Sequence, residues 1–138
     1  MSTYNIQSRE TSRYIISTVC DVSTQVVLTI DGSAGLPPNT KLTLTPGINP
    51  SSPSTNNTIA GSAGLFIGLN EDNSLVWTQD AYTWQVVTTP DSDIYEIIPF
   101  GSDLYCFTSA AIQPLVTVKS GGQVLHYENQ WFINPVEA

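Results

Sequence analysis

Apolar and polar residues alternate with period two through most of this chain, in runs that stay short. "RYIISTV" (13–19), "QVVLTI" (25–30), "KLTLTP" (41–46), "GLFIGL" (64–69), "SLVWTQ" (74–79), "TWQVVTT" (83–89), "IYEIIP" (94–99), "LYCFTS" (104–109), "PLVTVKS" (114–120) and "QWFINP" (130–135) are rich in β-branched and aromatic residues. Each is bounded by Gly, Pro, Asn, Asp or Ser, as strands bounded by turns should be. No window spaces apolar residues at i, i+3, i+4, i+7 between a cap and a stop, so helices are not expected. The pattern predicts an all-β chain, folded as a sandwich or a barrel.

A longer grammar separates those two. Tyr-x-Ile opens the chain at Tyr4 and Ile6 and recurs at Tyr95 and Ile97. Trp-x-aliphatic closes a segment at Trp84 and Val86, and again at Trp131 and Ile133. The spacing gives three units of about 45 residues, each with an opening strand, two inner strands and a closing strand. Unit three reads "IYEII", "LYCFTS", "LVTVKS", "QWFINP". Unit two keeps "LFIGL", "LVWTQ" and "YTWQVV", while its opening strand is hidden in "GINPSSPSTNNTIAGSAG" (47–64), read as an extended loop. Unit one keeps "YNIQS", "RYIIS" and "VVLTI" and closes on "KLTLTP" without a Trp. Three such units predict one β-trefoil domain over 1–138, with about twelve strands and Tyr4, Trp84, Tyr95 and Trp131 in its core.

Composition narrows the chemistry. A net charge of −8 with only four basic residues cannot supply the cationic patch that nucleic acid or an anionic membrane surface requires. No apolar run reaches membrane-spanning length. The first residues, "MSTYNIQSRE", lack the basic start and apolar stretch of a signal peptide, which points to a cytoplasmic protein with Cys20 and Cys106 as reduced, buried thiols. In that compartment the sequon at Asn56 would go unused. His126 is the single histidine and lies in the turn-like "GQVLHYENQ" with no evident nucleophile pair; no serine lies in a G-x-S-x-G elbow. "NEDNS" (70–74) lacks Ca²⁺-loop spacing and reads as a hairpin turn with Asx chemistry. Neither an enzyme nor a metal or cofactor site is expected.

At "YNIQ…RYII", "LFIGL…TWQVV…IYEII" and "QWFINPV" the chain resembles the fungal β-trefoil group. That group includes the ricin B-like mushroom lectins and the mushroom protease inhibitors (mycospins and mycocypins). The Q-x-W signature of ricin-type domains is missing, since Gln130 and Trp131 are adjacent. Locally, "IGLNEDNSLVWTQDAYTWQV" (67–86) resembles the sugar-binding segment of mushroom trefoil lectins that recognise fucosylated chitin-type glycans. The resemblance implies a defence lectin whose partners are neutral, fucosylated or GlcNAc-containing glycans and glycoproteins. Its site residues would be Trp77, Asp80, Tyr82, Thr83 and Trp84, with Leu69 standing where that group has an aromatic.

The residues suit that reading: aromatic faces for the apolar side of a sugar, beside Asp and Thr for its hydroxyls. Trp77 and Tyr82 are expected to be exposed stacking surfaces, Asp80 and Thr83 hydroxyl partners, and Trp84 partly core. The second reading is a protease inhibitor acting through the Pro-braced loops "GSAGLPPNTKL" (32–42) and "PGINPSSPSTNNT" (46–58), with Pro37, Asn39, Lys41 and Asn56 as contacts. Lys41 and Arg9 are the only basic candidates for a trypsin-like target. A homodimer is compatible with either reading.

Overall fold

The inward-facing apolar residues of the described strands pack into one core. A computed structural model describes residues 2–17, 21–29, 39–49, 51–91, 93–109, 112, 115–120 and 127–136. Its strands are β1 (Ser2–Ser8), β2 (Leu42–Thr45), β3 (Ser54–Ala60), β4 (Phe66–Leu69), β5 (Leu75–Thr78), β6 (Trp84–Thr88), β7 (Ile94–Pro99), β8 (Leu104–Phe107), β9 (Thr117–Ser120) and β10 (Trp131–Pro135). Strands β2, β1, β10, β7, β6 and β3 follow one another by antiparallel pairing, and β3 pairs back onto β2 to close the ring. The hairpins β4–β5 and β8–β9 belong to units two and three. The fold is a β-trefoil.

The registers align the opening and closing strands of the three units. Tyr4 lies opposite Leu42, Asn57 opposite Trp84, and Tyr95 opposite Trp131. The opening residues Tyr4, Asn57 and Tyr95 are therefore equivalent, as are the closing residues Leu42, Trp84 and Trp131. All three closing side chains are fully buried. The indole N–H of Trp84 donates to the Ile67 carbonyl at 2.8 Å, and that of Trp131 donates to the equivalent Cys106 carbonyl at 3.1 Å. Around the axis the inner strands of the units join directly: Val26 N–H donates to Leu75 O at 2.9 Å, and Leu75 N–H to Val116 O at 3.2 Å. Cys106 is a buried free thiol whose ionisation burial opposes strongly; Cys20 lies outside the described residues.

Two expectations change. The stretch 47–64 is not one loop: Ser54–Ala60 is the opening strand of unit two, so Asn56 sits in the barrel wall opposite Gln85 rather than on a protruding loop. Its neighbour Asn57 takes the place of Tyr, turned inward to accept a hydrogen bond from Gly47 N–H at 2.7 Å. Tyr4 performs the same service for Ile48, whose N–H donates to its hydroxyl at 2.9 Å. A short amide thus replaces a phenol in one repeat, which hides the period from the sequence. The hairpin of unit one is also reduced, among the described residues, to isolated bridges such as Ile15 with Leu28. Donors there are diverted: Tyr14 N–H goes to the Thr29 hydroxyl, and Ser17 N–H to Asn39 O.

Candidate functional site

The segment after β5 carries the site residues expected from the sequence, and the structure divides them. Asn70 builds the preceding hairpin turn, its side-chain oxygen accepting from the N–H groups of Asp72 at 2.9 Å and Ser74 at 3.0 Å. Asn73 closes that turn with a positive φ of 62°, a conformation that Asn tolerates. β5 then runs inward, and Trp77 ends fully buried in the core. Its expected role as an exposed stacking surface is thereby corrected. Trp77 pairs across the hairpin with Ile67, and its ring lies against Gly61, where an added Cβ would come within 2.8 Å of it. Strand alternation puts the indole inside, and a glycine provides the room. Its N–H finds no acceptor, a burial cost of about 1–3 kcal/mol.

The other four residues stay together at the start of β6. The Thr78 hydroxyl donates to Asp80 O at 2.7 Å, fixing the turn and leaving Asp80 exposed. Tyr82 is half-buried, its ring centroid 4.9 Å from that of Trp84 and tilted by 44°. Burial pushes the Tyr82 phenol up, and the Cys106 sulfur adds to the shift, so the hydroxyl remains a hydrogen-bond donor at neutral pH. Thr83 is exposed, and Trp84 is buried beneath Tyr82. The Phe100 N–H donates to Thr83 O at 3.2 Å, bringing the β7–β8 turn beside the segment. Phe100 is 62% exposed, the most exposed of the large hydrophobic residues described. Sequence reasoning missed it; the visible signal was a phenylalanine between Pro99 and Gly101, in a turn where nothing covers it.

These residues form a surface ledge where units two and three meet: Tyr82 lies against Trp84, and Asp80 and Thr83 are exposed on the same segment. The turn carrying the exposed Phe100 is tied to that segment by the backbone bond to Thr83. The ledge offers apolar faces, one carboxylate and the hydroxyls of Tyr82 and Thr83, with no nucleophile–base pair among these residues. Among the described residues no group of three His, Cys, Asp or Glu side chains could hold a metal. The residues named for an inhibitory loop do not form one surface element: Asn39 is half-buried, Lys41 is exposed just before β2, Asn56 is in β3, and Pro37 lies outside the described residues. His126 also lies outside them.

No protein-family model matches this chain. A search of the curated proteins likewise finds no match. Solved structures do match, and they share its fold. The designed threefold-symmetric protein ThreeFoil aligns with a TM-score of 0.70 at 14% identity, over 97% of this chain and 99% of its own. The ricin B-like lectin of Macrolepiota procera, solved in complex with lactose, aligns at 0.71 with 15% identity over 96% and 94%. SeviL, solved bound to asialo-GM1 saccharide, aligns at 0.67 with 12% identity over 96% of each. At these identities the likeness establishes the β-trefoil.

Proposed function

We propose that the protein is a lectin of fungal defence type, which binds neutral, GlcNAc-containing glycans, including fucosylated ones, through the ledge between units two and three. One observation carries this reading. Where unit two has Tyr82, units one and three have Thr40 and Asn129, both buried and tied to polar partners inside their own unit. Only unit two, among the three, has a half-buried aromatic ring at this position, on a segment that also carries an exposed carboxylate and is hydrogen-bonded to the turn holding the exposed Phe100. That combination suits a pyranose, whose apolar face stacks on Tyr82 and Phe100 while Asp80 and Thr83 meet its hydroxyls. The trefoil neighbours solved with saccharides support the reading.

Calorimetry with a chitin oligosaccharide and its fucosylated form tests it. A hydrogen bond to a charged acceptor contributes about 1.5–3 kcal/mol, so Asp80→Ala should weaken binding about ten- to a hundredfold without moving the unfolding midpoint. Absence of binding by either glycan to the wild-type protein refutes the proposal.

A further inference from the structure

The other end of the barrel holds a second cleft. β1 leads from Tyr4 toward the hairpins, and Tyr4 pairs with Pro135 at the end of β10, so this rim lies away from the hairpin cap. A cleft of about 140 Å³ opens there, lined by Tyr4, Ile48, Asp93, Tyr95, Ile133 and Pro135. We propose that this mouth binds a small organic ammonium ion, with Asp93 as its counter-charge and the rings of Tyr4 and Tyr95 as its walls.

Each group in the cleft is poised for that ligand. Tyr95 is 6% exposed, and its hydroxyl makes no hydrogen bond to a described residue and is open to solvent. The Tyr4 hydroxyl accepts from Ile48 N–H and keeps its second lone pair for a ligand. Asp93 sits at a positive φ of 66°, and its carbonyl accepts from Ile133 N–H at 3.3 Å, anchoring the carboxylate's root over β10. Burial raises the Tyr95 phenol first, then Asp93 and Tyr4 add to it, which places the three groups within one another's field. Asp93 is exposed, and among the described residues that line the cleft there is no Lys or Arg to balance its charge. A cation gains from that charge and from the negative faces of two aromatic rings, while Ile48, Ile133 and Pro135 take up its alkyl part. The net charge of −8 further favours a cationic ligand over an anionic one.

Titration with n-butylammonium, followed by amide chemical shifts, tests the site, with n-butanol as the neutral probe of the same shape. The expected result is saturable shifts at Ile48, Asp93, Tyr95 and Ile133 with the ammonium and none with the alcohol. Asp93→Asn, which tolerates the same positive φ, should weaken binding about tenfold or more, and Tyr95→Phe by several-fold. Neither change should alter affinity for the chitin oligosaccharide, which separates this site from the ledge. Equal shifts with butanol, or unchanged ammonium affinity in both variants, overturn the proposal.

Discussion

Units two and three share one backbone register but use the position two residues before the closing Trp in opposite ways. In unit three, Asn129 is buried and its amide donates to Glu96 at 2.7 Å. Unit one does the same with Thr40, which accepts from Asn5 Nδ2 at 2.8 Å. The equivalent pair in unit two is Thr58 and Tyr82, and the ring leans instead on Trp84. A polar lock satisfies its groups inside the unit and leaves nothing for a ligand. The aromatic substitute needs only one face for packing and keeps the rest at the surface. Repetition of a fold therefore does not imply repetition of a site.

The largest break in the comparison comes from the Trp pair. Truncating a buried Trp costs about 3–5 kcal/mol, so Trp131→Ala and Trp84→Ala should both destabilise the domain by that amount in urea unfolding. They should differ in binding. Trp131→Ala should leave glycan affinity per folded molecule intact, whereas Trp84→Ala removes the ring under Tyr82 and should lower it too. Equal affinities in the two variants would detach the ledge from Trp84. A sharper test transplants unit three's lock into unit two, as Thr58→Glu with Tyr82→Asn. The barrel should still form, and chitin-oligosaccharide affinity should fall about tenfold or more, equivalent to about 1.4 kcal/mol. Tyr82→Phe should retain most of the affinity.

Much of the fold is legible because alternation and the Tyr-x-Ile and Trp-x-aliphatic pairs report which side chains face the axis. It fades where a repeat solves the same problem with another residue. Asn57 caps Gly47 as Tyr4 caps Ile48, yet no hydropathy pattern connects an amide to a phenol. Leu42 fills the closing position of unit one without an indole. In the site, Asp80 and Thr83 are exposed, while Tyr82, expected to be exposed, is half-buried and packs against the core. Trp77 is fully buried, because its exposure depends on Gly61, a residue of another strand's end that leaves the ring space to turn inward. Phe100 needs the Thr83 contact to become part of the ledge, and that contact is long-range.

The smallest expected effect concerns the cost of the polar lock itself. Burial raises the pKa of Glu96 above its ordinary 4.5, and the hydrogen bond from Asn129 offsets this only in part. A carboxyl raised in the folded state holds its proton more tightly there than in the unfolded chain. Its contribution to stability is therefore full below about pH 4 and is lost as pH rises through the folded-state value. At neutral pH the ionised Glu96 is a net burden on unit three, where unit one meets the same need with a neutral Asn5. Glu96→Gln keeps an oxygen to accept from Asn129 and removes the charge. It should raise the unfolding temperature slightly at pH 7, have no such advantage at pH 4, and flatten the decline between them. A variant that is less stable than wild type at pH 7 by the same margin as at pH 4 would mean that the Asn129 bond outweighs burial, and that the lock is stabilising in its charged form.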